Sequence, residues 1–413
     1  MEFNLRPVEA GILALWVMTH CAHADSTLTT LIVFNGDNGA KPSSGLLLAA
    51  DGNFYGTTME GGKNDIGTMF KVSPDGRFAT VASFDGRNGK WPSGDLVRGQ
   101  DGSLYGTASQ GGNKSGDGVV FKLTPNGNLT ALFSFSDYDD RGGESPDGFS
   151  PNRLVDGNDG NFYGTTARNR FGAGAGTVFR ITPSGSLATL ATFDSQAEPA
   201  WLVKAEDGRY YFTTPRMRFR LTSLATLQSL KRLSSLGSLV QGRDGGLYGT
   251  SFEGGPNSGG VVFRMTANGG TTNLVNFDSN YSIHGRGPCG LILGRDGCFY
   301  GTTFAGGDTN GKPPVVSKVP TRMPDGSLVY GKVYEARVGP RLDFGTVFRM
   351  TTNGVITTLA VFCRTNGCYP TATLVQGMDG NFYGTTTEGG VGANPQGIIF
   401  RLTVATAPTT SPR

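Results

Sequence analysis

The sequence predicts an all-β fold, a seven-bladed β-propeller whose blades are four-stranded antiparallel sheets. Three observations lead to this prediction: a unit that recurs along the chain, short strand-like runs with apolar residues on both faces, and two chain ends that complement each other. A recurring unit of this size is typical of solenoids and propellers, and a closed ring leaves no sheet edge unpaired. An eight-bladed ring is the alternative.

The repeat is clearest in the octapeptide DGNFYGTT, which occurs at residues 51–58, 159–166 and 379–386. Its most constant part is Tyr-Gly-Thr, and a degraded copy, EDGRYYFTT, surrounds Tyr211. The spacings between successive tyrosines are 50, 58, 48, 37, 52 and 83 residues, which gives seven units. The intact copies begin at Tyr55, Tyr105, Tyr163, Tyr248, Tyr300 and Tyr383.

Each unit reads as four β-strands separated by tight turns. Asp-Gly and Asn-Gly pairs are typical of hairpin turns, because glycine adopts positive φ without a steric cost. The second strand carries Tyr-Gly-Thr, the third has the form Gly-Thr-Val-Phe, and the fourth ends in Phe. In the octapeptide, Phe54 and Tyr55 point to opposite faces of the strand, so both faces need apolar cover. Like sheets stacked around an axis provide that cover.

The two ends of the chain predict how the ring closes. Residues 28–34 (LTTLIVF) match the Phe-terminated fourth strand of a unit, whereas the last unit ends at its third strand, residues 397–402 (GIIFRL). We expect the N-terminal strand to pair with that third strand and complete the last blade. Blade six carries an insertion, residues 306–343, in which VVSKV (315–319) and MPDGSLVYGK (323–332) resemble a third and a second strand. These resemblances are the reason for the eight-bladed alternative.

The sequence divides into three parts. Residues 1–24 are predicted to be a signal peptide, because the apolar run at 11–18 is too short to span a bilayer and Ala-His-Ala precedes Asp25. A buried first strand or helix is the alternative for this segment. Residues 25–404 form the propeller domain, and residues 405–413 form a Thr/Pro-rich tail. We therefore expect a monomeric exported protein, extracellular or periplasmic, without a transmembrane segment.

The composition narrows the class of protein. The 413 residues include 65 glycines, 26 phenylalanines and 13 tyrosines, and the aromatic residues supply a large area for burial, which argues against disorder. The net charge is +3, and Lys and Arg form no block. Because nucleic-acid binding needs a basic surface, we expect no nucleic-acid partner.

The complete repeat motif is DG-x-x-YGT-T-x-x-GG followed by GTVF-K/R-x-T-x-x-G-x-x-T-x-L-x-x-F. It resembles the motif of the GloVer (Gloeobacter/Verrucomicrobia) repeat proteins, a bacterial family, over residues 28–403. The resemblance implies an exported, propeller-like repeat protein whose molecular function is unassigned. DGNFYGT is also similar to the DGN-aromatic-x-T strand of streptogramin lyase-type propellers, which we interpret as a feature that propellers share.

Four cysteines remain once the signal peptide is removed. An even number of cysteines in an oxidising compartment favours two disulfides, and three pairings are possible. Proximity in sequence favours Cys363–Cys368 and Cys289–Cys298. If the GRDG segment forms a hairpin turn, Cys298 lies opposite Leu293 and not Cys289, which weakens the second pairing. A metal site is the weaker alternative, because neither pair has C-x-x-C spacing and no histidine accompanies them.

The two ends of a blade differ in sequence. The turns between strands one and two and between strands three and four are uniform, whereas the links between strands two and three and between blades are long and irregular. Long loops carry binding residues more often than tight turns do, so we expect a ligand on the variable-loop face. The candidate ligand-binding residues on that face are Trp91, Trp201, His284, Asp139 and Arg168.

Several of these candidates also have a purely structural interpretation. Trp91 and Trp201 suit stacking on a sugar or contact with a protein partner, but a tryptophan at a blade junction more often fills a gap between blades. His284 is the only histidine outside the signal peptide, and a lone loop histidine is more often a surface residue. Asp139 lies in an acidic loop that lacks the spacing of an EF-hand.

Three glutamates, Glu60, Glu253 and Glu388, occupy one equivalent position of the repeat. If they face the axis, their carboxylates form a cation site at the mouth of the channel, although hard cations need six or more well-placed oxygens. Three solvated loop charges are the alternative. We expect no organic cofactor. A divalent cation bound by these three glutamates is the one cofactor that the sequence suggests.

The sequence contains no G-x-S-x-G, phosphate loop, Asp-box or two-histidine metal motif. We therefore predict a non-enzymatic exported propeller that binds a glycan or a protein, or that serves as a structural surface component. The alternative is a propeller lyase or hydrolase with carboxylates and a divalent cation at the channel mouth, assisted by His284.

Overall fold

The structure, a computed structural model, describes most of the chain between residues 26 and 404. Trp201, Asp139 and Arg168, the predicted signal peptide and the tail lie outside the described residues. Within the described part, no helix is long and apolar enough to cross a membrane. The described residues are 26–112, 116–136, 147–167, 176–193, 202–204, 208, 210–213, 218–223, 226–230, 236–266, 270–279, 284–307, 320–322, 328–330 and 344–404.

The described strands form antiparallel sheets that follow one another along the chain. The N-terminal strand is β1 (Ser26–Val33). The 47–83 sheet contains β2 (Leu47–Leu48), β3 (Phe54–Thr58), β4 (Thr68–Val72) and β5 (Phe78–Ser83). The 90–134 sheet contains β6 (Lys90–Pro92), β7 (Val97–Arg98), β8 (Leu104–Gln110), β9 (Val119–Leu123) and β10 (Leu129–Ser134). The 149–192 sheet contains β11 (Phe149–Asp156), β12 (Phe162–Ala167), β13 (Thr177–Ile181) and β14 (Leu187–Thr192).

The second half of the chain continues in the same way. The 202–230 sheet contains β15 (Leu202–Lys204), β16 (Tyr210–Thr213), β17 (Arg218–Ser223) and β18 (Thr226–Leu230). The 236–278 sheet contains β19 (Leu236–Gln241), β20 (Leu247–Ser251), β21 (Ser258–Met265) and β22 (Thr271–Asp278). The 286–361 sheet contains β23 (Arg286–Leu293), β24 (Phe299–Ala305), β27 (Thr346–Met350) and β28 (Ile356–Val361), and the insertion holds β25 (Pro320–Arg322) and β26 (Leu328–Tyr330). The seam sheet contains β29 (Val375–Gln376), β30 (Phe382–Thr386), β31 (Ile398–Val404) and β1.

The N-terminal strand closes the ring, which confirms the prediction from the chain ends. β1 pairs antiparallel with β31, with Leu28 opposite Leu402 and Val33 opposite Ile398. The strand order of the seam sheet is β1, β31, β30, β29, so the first strand of the described chain supplies the fourth strand of the last unit. Hydrogen bonds thereby cover the edge of β31 that the last unit leaves open.

The prediction of seven four-stranded blades is wrong in its detail, as is the eight-bladed alternative. In the described part, six sheets have four strands and the 90–134 sheet has five. Its β8 pairs with two short strands, β6 through Lys90 opposite Gln110 and β7 through Val97 opposite Tyr105. Pro92 and Gly94 lie where the first strand breaks, and proline cannot donate to a ladder. The insertion contributes a separate two-stranded sheet, β25 and β26, and not an eighth four-stranded blade.

Each Asp-Gly hairpin is held by its aspartate. In the first unit, the Asp51 carboxylate accepts a hydrogen bond from the Asn53 backbone N–H at 3.1 Å and one from the Tyr55 hydroxyl at 3.0 Å, and Gly52 has φ of 75°. This is the Asx-type turn that aspartate favours. The tyrosine hydroxyl lies 2.7 to 3.0 Å from the equivalent aspartate in all six intact copies of the repeat.

Neighbouring sheets pack through aromatic pairs, as the two apolar faces of the octapeptide predict. The repeat tyrosine of one sheet packs on the aromatic residue that precedes the tyrosine of the next sheet, with ring centroids 3.9 to 4.5 Å apart. Such a pair contributes about 0.5–1.5 kcal/mol beyond the area that it buries. The five pairs are Phe54–Tyr383, Tyr105–Phe162, Tyr163–Tyr210, Tyr248–Phe299 and Tyr300–Phe382.

The glycine of Tyr-Gly-Thr is required by the third strand of the same sheet. A Cβ atom placed on Gly56 would lie 2.5 Å from Cζ of Phe70, and one on Gly106 would lie 2.4 Å from Cζ of Phe121. Both phenylalanines are fully buried. The phenylalanine that ends the Gly-Thr-Val-Phe motif therefore occupies the space above the glycine of Tyr-Gly-Thr. The two motifs of the repeat depend on each other for this packing.

Candidate functional site

Five links that lead into a new sheet share one backbone geometry on the variable-loop face. In each, the residue before a proline has a φ between 51° and 64°. Residues other than glycine rarely adopt this region, and a following proline restricts them further, so four of these positions are strained. The five residues are Lys41, Trp91, Ser150, Gly287 and Tyr369.

Contacts with the preceding sheet hold this strained geometry. The Ser150 backbone N–H donates a hydrogen bond of 2.7 Å to the carbonyl of Asp117, and the Trp91 N–H donates one of 3.1 Å to the carbonyl of Ile66. The proline packs against the glycine that begins the third strand, since a Cβ on Gly118 would lie 2.4 Å from Cδ of Pro151. Because these contacts use the backbone of the strained residue and the proline that follows it, the side chain at the strained position can differ between units.

Trp91 lies at one of these positions, on the face where the sequence predicts it. Its side chain is half-buried, and the Lys90 ammonium lies 4.1 Å from its ring centroid. Its backbone carbonyl accepts a hydrogen bond of 3.1 Å from the Ser109 hydroxyl. The Lys90 cation therefore covers one part of the ring, and the remaining exposed part is available for contact with a ligand.

A pocket of about 330 Å³ opens on the same face between the 236–278 sheet and the 286–361 sheet. Phe252, which is 37% exposed, and Phe304 form one wall, with their ring centroids 5.5 Å apart. Phe304 in turn stacks on Tyr369 at 4.8 Å, so three rings form an aromatic row across three sheets. The exposed charged residues Glu253 and Arg286 complete the pocket.

This aromatic row was not among the predicted site residues, although the repeat contains a signal for it. Phe252 and Phe304 both lie four residues after a repeat tyrosine, where the first two units have Met59 and Ser109. Two phenylalanines at the same loop position of consecutive units indicate adjacent rings on one face. Of the predicted site residues that the structure describes, Glu253 alone lines this pocket.

His284 lies in the link that precedes β23, two residues before Arg286, which lines the pocket. Its Nδ1 atom is 3.0 Å from the hydroxyl oxygen of Thr358, and its backbone carbonyl accepts a 3.0 Å hydrogen bond from the Thr346 hydroxyl. Burial lowers the pKa of His284 below its ordinary value. The imidazole is therefore neutral at neutral pH and is anchored to the sheet next to the pocket.

The three repeat-equivalent glutamates are not brought together. Glu60 forms an ion pair of 2.8 Å with Lys41, Glu253 lines the pocket of the aromatic row, and Glu388 is exposed beside the last link. Among the described residues, which include all three, no group of three or more His, Cys, Asp and Glu side chains is placed to hold a metal ion. A metal-binding role for these glutamates thus stays a prediction without a supporting geometry.

The structure contains neither predicted disulfide, and Cys289, Cys298, Cys363 and Cys368 are free thiols in it. Cys289 lies in β23 and Cys298 lies beyond the following turn, opposite Gly294. Five residues of strand separate Cys289 from Gly294, about 15 Å, whereas a disulfide needs Cα atoms within about 7 Å. The Cys363 thiol contacts the Thr365 hydroxyl at 3.2 Å instead of Cys368. Burial raises the pKa of Cys289 and of Cys368 to about 12, so both stay protonated at neutral pH.

Another cavity, of about 210 Å³, is lined by residues that lie in, between or just before the first strands of four sheets. It contains an ion pair between Asp95 and Arg153, and the Asp95 carboxylate also accepts a 2.6 Å hydrogen bond from the Gly45 N–H. The hydroxyl oxygens of Ser43 and Thr371 are buried there and have no hydrogen-bond partner within the described part of the protein. Buried hydroxyls of this kind usually bind water.

The opposite, uniform face carries a set of one aspartate, one tyrosine and one cation in each of several units. In the second unit, the Asp101 carboxylate accepts hydrogen bonds from Tyr105 at 2.8 Å and pairs with Lys122 at 2.9 Å. Burial opposes ionisation of Asp101, but the bonds from Lys122, Tyr105 and Ser103 outweigh it and hold its pKa below the ordinary value. Burial raises the pKa of Tyr105. These groups stabilise turns and stay in one charge state at neutral pH.

The family comparison decides what kind of repeat this is. Residues 17–147 match the model of the family described as the Gloeobacter/Verrucomicrobia repeat. The chain is a propeller protein that carries this repeat. The match lies in the first third of the sequence, and the same motifs recur in the later sheets. No curated protein matches the chain.

Solved structures of similar fold include two lyases and the extracellular domain of a larger protein. A streptogramin B lyase structure matches with a TM-score of 0.58 and 15% identity, over 92% of this chain and 98% of that one. A catalytically inactive virginiamycin B lyase from Staphylococcus aureus with quinupristin matches with a TM-score of 0.59 and 14% identity, over 92% and 100% of the two chains. The extracellular domain of a B. thetaiotaomicron protein, named as a hybrid two-component system, matches with 0.56 and 10%, over 93% and 41%. At these identities the similarity shows the propeller fold alone.

Proposed function

We propose that this protein is an exported, non-enzymatic propeller that binds a glycan on its variable-loop face. The observation that carries the proposal is the row of Phe252, Phe304 and Tyr369 beside the pocket of about 330 Å³. An exposed aromatic ring next to charged and hydroxyl groups suits a sugar, which presents an apolar ring face and a rim of hydroxyls. Glu253, Arg286 and Ser258 supply that polar rim.

The size of the pocket favours a glycan over a protein partner. Specific protein interfaces bury about 1,200–2,000 Å² in total, whereas small-ligand sites are concave volumes of about 300–1,000 Å³. The strained links give the same face a rigid frame, because backbone hydrogen bonds and proline contacts fix them to the preceding sheet. A rigid frame lowers the conformational cost of binding.

A propeller lyase or hydrolase is the competing function. The solved lyases share the fold of this chain, and His284 lies next to the pocket with a neutral imidazole that could accept a proton. A base must reach the proton that it removes, and His284 does not line the pocket. We therefore propose binding without turnover.

A glycan array followed by calorimetry on the best ligand tests this proposal. Phe252→Ala should weaken binding about tenfold, because one stacking contact is lost. Val355→Ala is the matched control, since Val355 is also exposed and apolar (55%) but lies in a turn on the opposite face. Failure of the wild type to bind any glycan would contradict the proposal. Conversion of the bound glycan, followed by mass spectrometry and abolished in His284→Gln, would establish the enzyme instead.

A further inference from the structure

A larger cavity lies on the uniform face, between the 47–83 sheet and the 90–134 sheet. Its volume of about 620 Å³ is in the range of small-molecule sites. The side chains of Tyr55, Lys71, Arg98, Leu104 and Leu123 line it, together with the tight turns of both sheets. We call it the turn-face cavity. None of these residues takes part in the proposed glycan site.

The turn-face cavity lies at a junction where an aromatic side chain of the repeat is replaced by leucine. At five other junctions the repeat tyrosine is covered by an aromatic residue of the next sheet, and these tyrosines are at most 3% exposed. Tyr55 instead faces Leu104, because the second unit reads DGSLYGTA where the octapeptide has Phe. Tyr55 is half-buried, with its ring at the cavity wall, whereas Tyr211, which also lies at a junction with a leucine, Leu247, is only 2% exposed.

The charges around this ring are unbalanced. Lys71 is paired with Asp51 at 2.8 Å and lies 5.6 Å from the Tyr55 ring centroid. Arg98 is exposed at the cavity and forms no ion pair with a carboxylate of the described residues. At the repeat position of Arg98, two other units have glutamine, Gln241 and Gln376. One positive charge is therefore left over beside an uncovered aromatic ring.

We propose that the turn-face cavity binds a small aromatic carboxylate. Its ring would pack on Tyr55 as the aromatic residue of the next sheet packs on the repeat tyrosine at five other junctions, where ring centroids are 3.9 to 4.5 Å apart. Its carboxylate would pair with Arg98, as a charge-assisted hydrogen bond. The buried side chains of Leu104 and Leu123 form an apolar floor that excludes water from the stacked ring.

Calorimetry with the full chain and 4-hydroxybenzoate tests the ligand class. Two comparators separate its parts: 4-hydroxybenzyl alcohol keeps the ring without the charge, and glucuronate keeps a carboxylate without an aromatic ring. We expect 4-hydroxybenzoate to bind at least about tenfold more tightly than either, because each comparator loses one of the two contacts. Equal or tighter binding of glucuronate would overturn the aromatic assignment, and no binding of 4-hydroxybenzoate would overturn the site.

Two substitutions that restore the repeat test the location. Leu104→Phe installs the missing ring and should abolish binding, and Arg98→Gln installs the residue of two other units and should weaken binding about tenfold. Leu247→Phe is the control, since Leu247 has the same repeat position but lies at the junction with Tyr211 and outside the cavity.

The two variants keep the site testable even if one of them does not fold. Should circular dichroism show that Leu104→Phe is misfolded, Arg98→Gln decides, because Arg98 is exposed and its substitution removes no packing. Unchanged affinity in a folded Leu104→Phe variant would place the ligand elsewhere. Phe252→Ala should leave 4-hydroxybenzoate binding unchanged. The proposal for the turn-face cavity is therefore tested separately from the proposal for the glycan site.

Discussion

The two faces of this propeller differ in what recurs from unit to unit: side chains recur on the uniform face, and backbone geometry recurs on the variable-loop face. On the uniform face the repeat preserves side chains, since tyrosine donates to aspartate at 2.7 to 3.0 Å in six units. On the variable-loop face it preserves backbone, since five links share a φ of 51° to 64° while the residue there is Lys, Trp, Ser, Gly or Tyr. A surface built from backbone contacts can change its side chains without losing its shape. This difference explains why binding residues are expected on the variable-loop face.

The largest effect should come from breaking the backbone frame. Gly118→Val should destabilise the protein by about 3–5 kcal/mol, because Gly118 has φ of 113° and its Cβ would meet Pro151 and the carbonyl of Ala108. Urea denaturation measures the loss. Gly127→Val, at φ of 83° with no atom near its Cβ, is the control and should lose only about 1–2 kcal/mol. Similar losses for the two would mean that the proline contact adds nothing to the frame.

A smaller effect is expected from breaking a turn on the uniform face. Asp101→Asn should cost about 1 kcal/mol at neutral pH, a value kept small because the carboxylate is 38% exposed and screened by solvent. Its folded pKa lies below the unfolded 3.8, so this contribution is present above about pH 4 and is lost as the pH falls through the folded pKa.

Thermal unfolding from pH 7 down to about pH 2 measures this dependence on Asp101. The difference in stability between wild type and Asp101→Asn should shrink as the solution becomes more acidic. Asp75→Asn is the comparison: the hydrogen bond from Ser73 also lowers the pKa of Asp75, but Asp75 is 53% exposed and its partner Arg77 is largely exposed, so its pH-dependent contribution should be smaller. A difference that stays constant with pH would show that the charge of Asp101 does not stabilise the turn.

The smallest effect is expected from exchanging the side chain at a strained link position, which tests whether these side chains are interchangeable. Ser150→Gly installs the residue that Gly287 provides in the equivalent link, and it should change stability by no more than about 0.5 kcal/mol. Relief of the positive-φ strain is offset by the greater freedom of glycine in the unfolded chain. A scanning calorimeter resolves this difference, and a loss above about 2 kcal/mol would show that the Ser150 side chain supports the link.

The sequence allowed much of the fold to be predicted, because the repeat constrains it twice. Phe54 and Tyr55 on adjacent positions require cover on both faces: Tyr383 covers Phe54, whereas Leu104 covers Tyr55 only in part. The complementary ends required β1 to pair with β31. The break of the first strand into β6 and β7 was not predictable from apolar periodicity, since it depends on how Pro92 and Gly94 approach the neighbouring sheet.

The candidate sites were less accessible from sequence. Glu60, Glu253 and Glu388 share a repeat position, but equivalent positions are separated around the ring and do not converge unless the loops turn inward. Proximity in sequence misled for Cys289 and Cys298, because strand register, and not distance along the chain, sets the distance between their thiols. Both aromatic features, the row at Phe252 and the uncovered Tyr55, were visible only as departures from the repeat.

The pairing of β1 with β31 joins Leu28 to Leu402, two residues separated by nearly the whole described chain. During synthesis, β1 therefore has no partner in its sheet until β31 has been made, after all the strands that lie between them in the chain. The ring can therefore become continuous only after translation of β31, and every shorter intermediate exposes two open strand edges. Until β31 is made, the sheets form an open array, and the edges of the sheet at each end are exposed to other chains. Pairing of β1 with β31 then closes the array into a ring and covers both edges.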